Sequence, residues 1–348
     1  VKEGDAVAEG DELVDIETTK ITNVCEAHMG GVIRRIVADP GRTLPVGALI
    51  AVMADASVPD GDVDAFVSEF EAAFDPEEAA AEEAGLEIRS VDIGDGRALR
   101  VGVAGPEDSS VSVVLLHGFG ADLENLSLVQ ADLAASVRVY AVELPGHGQS
   151  TKQVGAGRLS DLSADVLAAI RTLGLEDLVL IGHSLGGAVA IAVASELGAQ
   201  VKGLGLVCPA AMPGGDVSRE YLDGFVEAKR ARDLRKPVEM LFNDKAMVTR
   251  DLLDQLVKTK RLDGAQDALT LVKNNLLGDD PDYAQMASKL ESVAAPIVLV
   301  AAKQDRIVGA PDLSKLPEGV KANLFEEAGH MPHVERTADV VRALRELI

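Results

Sequence analysis

A mostly parallel α/β sheet covered by helices on both faces, preceded by a short all-β module, is the architecture this sequence predicts. Apolar runs at 111–116, 137–142, 178–181, 204–207 and 297–301 alternate with helix-like stretches such as 162–173 and 185–197, the rhythm of parallel strands buried on both faces. Gly182-His183-Ser184-Leu185-Gly186 stands between the β-branched run Leu178-Val179-Leu180-Ile181 and the small-residue stretch Gly187-Ala188-Val189-Ala190. That is the form of a strained strand-to-helix turn that exposes a serine hydroxyl. Residues 1–53 read instead as short β segments divided by Gly and Pro.

Within the module, β segments are expected at 13–16, 21–24, 31–37 and 48–52. Ala, Glu and Asp dominate from 54 to 85, with Phe66, Phe70 and Phe74 at helical spacing, so an acidic helical linker with one apolar stripe follows. The stretches 86–91 and 98–103 flank Gly94-Asp95-Gly96 as a hairpin and open the larger domain, 86–348. Residues 211–292 break the strand and helix alternation; charged and helical, they read as a cap inserted between two strands.

At 348 residues the chain can bury a sizeable core in more than one domain. Its formal charge of −24 repels phosphate backbones and anionic lipid, so neither nucleic acid nor a membrane surface is expected as a partner. Cys25 and Cys208 stand far apart without Cys-x-x-Cys or Cys/His ligand spacing, which argues against a disulfide framework and a metal, and for the cytoplasm. Neither a leader nor an uninterrupted apolar span is visible, so a soluble protein is expected. Val1 in place of Met points to a native N-terminus that has been removed.

A serine hydroxyl is a poor nucleophile until an imidazole takes its proton, and the imidazole needs a carboxylate to hold its tautomer and stabilise its cation. The order Ser, acid, His that accompanies this kind of turn leads to Asp305, just past the apolar strand 296–302. It leads next to His330 in Gly329-His330-Met331-Pro332-His333, ahead of the last helix. Ser184 is thus the nucleophile, Asp305 the acid and His330 the general base, with His333 as the competing imidazole. His117-Gly118-Phe119-Gly120 follows the strand 111–116, where a loop presents a backbone N–H to a developing oxyanion; Phe119 and Leu185 are the main-chain donors. His117, His147 and His183 read as turn residues, and His28 lies outside this domain.

These residues resemble the α/β-hydrolase family over 86–348, the likeness resting on His117-Gly118-Phe119-Gly120, Pro145-Gly146-His147-Gly148-Gln149-Ser150, Gly182 through Gly187, Asp305 and Gly329-His330-Met331-Pro332-His333. The resemblance implies the α/β-hydrolase fold with a helical cap. It does not imply a substrate, because esterases, C–C hydrolases, dehalogenases and transferases share that fold.

Asp15-Ile16-Glu17-Thr18-Thr19-Lys20-Ile21 sets a lysine among small polar residues between two β segments, a hairpin tip that presents one amine to solvent. It resembles the lipoyl-domain motif, as do Val1-Lys2-Glu3-Gly4-Asp5 upstream and Asp39-Pro40-Gly41 downstream; a biotinyl motif would place Met where Thr19 and Ile21 stand. The resemblance implies lipoate on Lys20, in a module that lacks the strands usually found ahead of this segment. A lipoyl domain fused to an α/β-hydrolase domain is similar to the acetyltransferase component of acetoin dehydrogenase complexes. That family implies transfer of an acetyl group from lipoamide on Lys20 to coenzyme A through Ser184, His330 and Asp305. It also implies a thiamine-dependent dehydrogenase and dihydrolipoamide dehydrogenase as partners, with homo-oligomerisation left open. The His-x-x-x-Asp-Gly motif of the usual 2-oxo-acid dehydrogenase acyltransferases is absent. The run 229–236, basic in an acidic chain, offers Arg230, Arg232 and Arg235 to the coenzyme A phosphates, or is a solvated face of a cap helix. The alternative is a serine hydrolase carrying a lipoyl appendage, since transfer and hydrolysis use one triad and differ in what the site excludes.

Overall fold

Glycine turns cut the start of the chain into short strands. The computed structural model describes residues 1–17, 22–42, 44, 48–74, 86–210, 212, 217–278 and 280–348, which fall into two units, Val1–Gly85 and Leu86–Ile348. The first holds β1 (Ala6–Val7), β2 (Glu12–Glu17), β3 (Thr22–Glu26), β4 (Gly31–Ile36) and β5 (Ala51–Ala54). β1, β4 and β5 form an antiparallel sheet, and β2 and β3 a separate hairpin. Their core is small: Val7, Ala27 and Ile33, with Leu13 and Met53 packed against it. Glu17 pairs with Thr22, so Lys20 falls in the connection 18–21 and lies outside the described residues. The acidic α1 (Asp60–Ala73) follows; Arg34 and Arg35 pair with its Asp60 and Asp64, and Val63 is buried. Beyond that anchor the rings of Phe66, Phe70 and Phe74 line up with centroids 6.3 and 6.0 Å apart.

The second unit opens with β6 (Glu87–Gly94) and β7 (Arg97–Ala104), a hairpin whose turn holds Asp95 and Gly96 at positive φ. With β8 (Ser112–Leu116), β9 (Arg138–Val142), β10 (Leu178–His183), β11 (Val201–Val207), β12 (Ile297–Ala302) and β13 (Lys321–Phe325) they make an eight-stranded sheet. Its order is β13-β12-β11-β10-β8-β9-β7-β6, parallel except where β7 meets β6 and β9. Side-chain alternation explains the double covering: Val113, Leu115, Val179 and Ile181 enter one core, and Val114, Leu116, Leu178 and Leu180 the other. α2 (Ser127–Ala134) packs on the first core, α3 (Leu159–Thr172) and α4 (Leu185–Leu197) on the second.

Between β11 and β12 run the cap helices α5 (Arg219–Glu227), α6 (Ala231–Glu239), α7 (Arg250–Lys260) and α8 (Ala265–Leu276), then the short α9 (Pro281–Ala284) and α10 (Met286–Ser292). Lys260 ties the cap together. Its buried ammonium donates to the carbonyls of Phe225 and, at 2.7 Å, of Ala228, where α5 leaves its last carbonyls unpaired. Burial pushes this amine down to about 8. α11 (Pro332–Glu335) and α12 (Thr337–Leu344) close the chain, α12 against the first core. Among the described residues no helix is long and apolar enough to cross a membrane.

Candidate active site

The candidate side chains converge because each follows the C-terminal end of a strand, the edge at which open α/β sheets build their sites. Ser184 comes directly after β10 with φ +53° and ψ −117°, a backbone that a non-glycine residue adopts only under constraint. The constraint is visible: its amide donates to the Val207 carbonyl at 3.0 Å, and its own carbonyl accepts from Gly187 at 2.9 Å and Ala210 at 2.9 Å. A Cβ at Gly182 would sit 2.2 Å from the Gly186 carbonyl oxygen, and one at Gly186 2.2 Å from that of Leu116. Two glycines therefore permit the tight turn that carries the serine. Leu185 is the first residue of α4, so its amide has no carbonyl one turn back to bond.

His330 Nδ1 donates to Asp305 Oδ2 at 2.8 Å, with both side chains buried. A carboxylate only accepts, so Nδ1 carries the proton and Nε2 keeps its lone pair for a hydroxyl. The other Asp305 oxygen accepts from the amides of Ile307 at 2.8 Å and Val308 at 3.0 Å. Burial pushes the Asp305 carboxyl up, but the facing His330 and these two amides outweigh it and hold the group below its ordinary range.

The other imidazoles occupy different places. His333 is 1% exposed with its ring 4.4 Å from that of His183, and burial pushes it down to about 3. His183 Nε2 donates to the His330 carbonyl at 2.9 Å. His117 uses both nitrogens, Nδ1 donating to the Gly118 carbonyl at 2.8 Å and Nε2 accepting from the Leu144 amide at 3.0 Å. His147 Nδ1 lies 3.0 Å from the Pro145 carbonyl.

Ser184 and His330 line one cavity of about 70 Å³ together with Phe119 and Asn125. The cap adds an apolar wall, Tyr221, Phe225, Val238, Leu241, Phe242, Leu252 and Leu256, and loops at the sheet edge contribute the rest. The Phe225 ring lies where a side chain on Gly120 would stand, 2.4 Å from that site, and the Tyr221 hydroxyl donates to the Phe119 carbonyl at 3.4 Å. Sequence reasoning missed these cap residues. Tyr221 and Phe225 are four apart on an amphipathic helix, a signal that does not separate a cavity wall from a packed core.

The basic run is partly neutralised within the cap. Arg230 and Arg232 share Asp233 at 3.0 and 3.5 Å, and Lys236 pairs with Glu220 at 2.9 Å. Arg235 Nη1 donates to the Val248 carbonyl at 3.2 Å. The side chains of Arg230 and Arg232 stay 60% and 71% exposed, so both are open to a ligand.

Comparison with known proteins matches this arrangement to named relatives. The profile of the alpha/beta hydrolase family matches residues 113–343, and that of the biotin-requiring enzyme domain, which covers biotin and lipoyl attachment, matches residues 1–53. A Pseudomonas putida protein, the dihydrolipoyllysine-residue acetyltransferase component of its acetoin cleaving system, is 38% identical over 97% of this chain and 90% of its own. The chain belongs to this acetyltransferase-component family. A second member, from Cupriavidus necator, is 36% identical over 97% of this chain and 89% of its own. Among solved structures, a 2-hydroxy-6-oxo-6-phenylhexa-2,4-dienoate hydrolase from a Rhodococcus species superposes with a TM-score of 0.66 at 20% identity, covering 75% of this chain and 99% of its own. A serine hydrolase from Cycloclasticus zankles gives 0.65 at 16%, covering 74% and 96%. At such identities these two share the fold alone with this chain. It is an enzyme of the α/β-hydrolase fold with a lipoyl-type module ahead of it.

Proposed function

We propose that this chain is the acyltransferase of an acetoin-cleaving complex, moving an acetyl group from a dithiol carrier to coenzyme A through Ser184. The observation that carries the reading is one carrier module and one Ser, His, Asp constellation along a chain that matches named acetyltransferase components over 97% of its length. The carrier module is 1–53, the linker 54–85 and the catalytic domain 86–348, capped by 211–292. Lys20 would hold lipoate by an amide bond. The Glu17 and Thr22 pair closes the β2 and β3 ladder immediately before the segment that contains it, as a projecting arm requires. When bound, that arm supplies a thiol that carries an acyl group as a thioester.

Ser184 Oγ passes its proton to His330 Nε2 and attacks the thioester carbonyl, while the amides of Phe119 and Leu185 donate to the oxyanion. His330 returns the proton to the leaving thiolate, and the acetyl group rests on Ser184 as an ester. His330 then takes the proton of the coenzyme A thiol, whose sulfur attacks that ester and frees the serine. Asp305 holds the ring throughout. The apolar cavity of about 70 Å³ suits a short acyl group and disfavours water. Cys25 and Cys208 are free thiols, in keeping with a reducing cytoplasm. A thiamine-dependent dehydrogenase and dihydrolipoamide dehydrogenase would load and reoxidise the carrier.

Wild-type enzyme given acetyl-dihydrolipoamide should form acetyl-coenzyme A. Free acetate released at one rate with or without coenzyme A would overturn transfer in favour of a serine hydrolase. Arg230→Glu combined with Arg232→Glu should raise the KM for coenzyme A and flatten its salt dependence, leaving hydrolysis of a small neutral ester untouched. Arg235, already bonded to Val248, contributes less. Intact-mass analysis after co-expression with a lipoyl ligase should show one modification, lost in Lys20→Arg; an unmodified Lys20 removes the carrier.

A further inference from the structure

Cys208 stands directly after β11 at φ +40° and is 3% exposed. Its Sγ, a carboxylate oxygen of Asp305 and a ring nitrogen of His330 all lie within 4.8 Å of one another. The three ligand atoms come from the ends of separate strands, so no spacing in the sequence announces them. A second cavity, lined by Cys208, Pro209, Met212, Ala302, Val308 and Gly309 among others, adjoins the thiol and shares no lining residue with the cap cavity. At about 10 Å³ it has room for one water-sized body. Neither Asp305 nor His330 lines it, so it offers space beside the thiol alone.

We infer that Cys208, Asp305 and His330 form an inhibitory site for a thiophilic divalent cation, Zn²⁺ or Cd²⁺, which switches the triad off by capturing His330 Nδ1. The inference rests on the triad assignment proposed above. Thiolate, carboxylate and imidazole are the donor set that zinc accepts in a tetrahedron, with bonds of roughly 2.0–2.3 Å and donor atoms therefore roughly 3.3–3.6 Å apart. Asp305 Oδ2 and His330 Nδ1 stand 2.8 Å apart, so that pair must open slightly to admit the ion, and the thiol already lies within 4.8 Å of both. On binding, the Cys208 S–H bond breaks, its proton leaves to solvent and the sulfur pair forms the bond to the cation. His330 gives up the Nδ1 proton and takes one at Nε2, so the ring stays neutral and its Nδ1 lone pair faces the metal. Asp305 exchanges the Nδ1–H for the cation. One thiolate and one carboxylate cancel the double positive charge, which removes the cost of an uncompensated buried ion. Nothing is oxidised or reduced. An imidazole protonated at Nε2 cannot accept the Ser184 proton, so the reaction stops before the first bond forms.

The test uses the full chain carrying Cys25→Ser, which leaves Cys208 as the remaining thiol of the two. Zn²⁺ alone is titrated while hydrolysis of a small neutral ester and acyl transfer are followed; Cd²⁺ alone is titrated while the ultraviolet thiolate-to-metal charge-transfer band is read. One ion per chain should abolish both activities, reversibly with chelator, and the Cd²⁺ band should saturate at the same stoichiometry. Cys208→Ala should keep its metal-free activity, lose the band and need at least ~100-fold more Zn²⁺ for half-inhibition, the upper end of what loss of even an outer metal partner costs. Cys208→Ser serves the same comparison should alanine impair folding. Equal inhibition of wild type and Cys208→Ala, or no inhibition of wild type at saturating Zn²⁺, overturns the site; a Cys208-dependent band with full activity overturns the switch. Failure of the triad assignment shows separately, as turnover that persists in Ser184→Ala, where the Cd²⁺ band still reports the site.

Discussion

Ser184→Ala lowers acyl transfer by at least ~10³, and His330→Ala by a comparable factor, the scale of loss when one member of such a triad is removed. The strained backbone at Ser184 and the buried bond between His330 and Asp305 hold both side chains in place before substrate arrives, and the neighbouring His183 has its Nε2 committed to the His330 carbonyl. Asp305→Asn leaves the packing in place but offers an amide to Nδ1 and no longer fixes the tautomer, with an expected loss on the order of 10⁴. His333→Ala is the control and loses far less, since the 2.8 Å bond to Asp305 belongs to His330. A fluorophosphonate should label Ser184 in wild type and not in Ser184→Ala. Unchanged turnover in Ser184→Ala removes the whole mechanism.

The catalytic unit should unfold in mild acid. His117, His147, His183 and His333 are each no more than 2% exposed, and burial pushes all of them down, His117 to about 4 and His147 and His333 to about 3. In the unfolded chain an imidazole binds its proton near pH 6.5. Below that pH the unfolded state therefore takes up protons that the folded state refuses, and stability falls as pH drops from about 6.5 toward about 4. Each such imidazole withdraws about 1.4 kcal/mol per pH unit, so His117, His147 and His333 together withdraw about 6 kcal/mol by pH 5, and His183 acts in the same direction. That is comparable to the whole stability of a typical domain, ~5–15 kcal/mol. Burial pushes the Glu143 and Asp165 carboxyls up, and they work in the opposite sense, offsetting part of the loss at the acid end. Urea unfolding at pH 7.5, 6 and 5 measures the slope. A midpoint that does not move across that range contradicts imidazoles buried neutral.

The central strands could be read from the sequence because burial on both faces leaves continuous apolar runs, as in Leu178-Val179-Leu180-Ile181. The tight turn at Ser184 was legible for a different reason: Gly182, Ser184 and Gly186 fall within five residues, and the steric demand that fixes the glycines is local. Strand ends in the first unit were not. The run 48–52 suggested a strand, whereas β5 spans Ala51–Ala54, because its limits follow its pairing with β4, Ile36 with Ala51 and Ile33 with Met53, across a register shift. The acidic linker resolves into α1, which Phe74 ends in extended backbone. The cavity wall and the neighbours of Cys208 were hidden because they are assembled from positions far apart in the chain, and a single position carries no trace of such partners.

The cap places the chamber's apolar wall and the Asp305–His330 pair in separate stretches of the gene product. Tyr221 through Leu256 shape the space beside Ser184, while Asp305 and His330 stand on the far side of the insertion in sequence. On the proposed reading, substrate taste can therefore drift without disturbing reactivity: trimming Phe225 or Leu241 would enlarge the chamber for a longer acyl chain while Asp305 and His330 keep their footing. One inherited reaction centre can in this way be re-tailored to new acyl groups by changes confined to its lid, a modularity that the insertion between β11 and β12 builds into the fold.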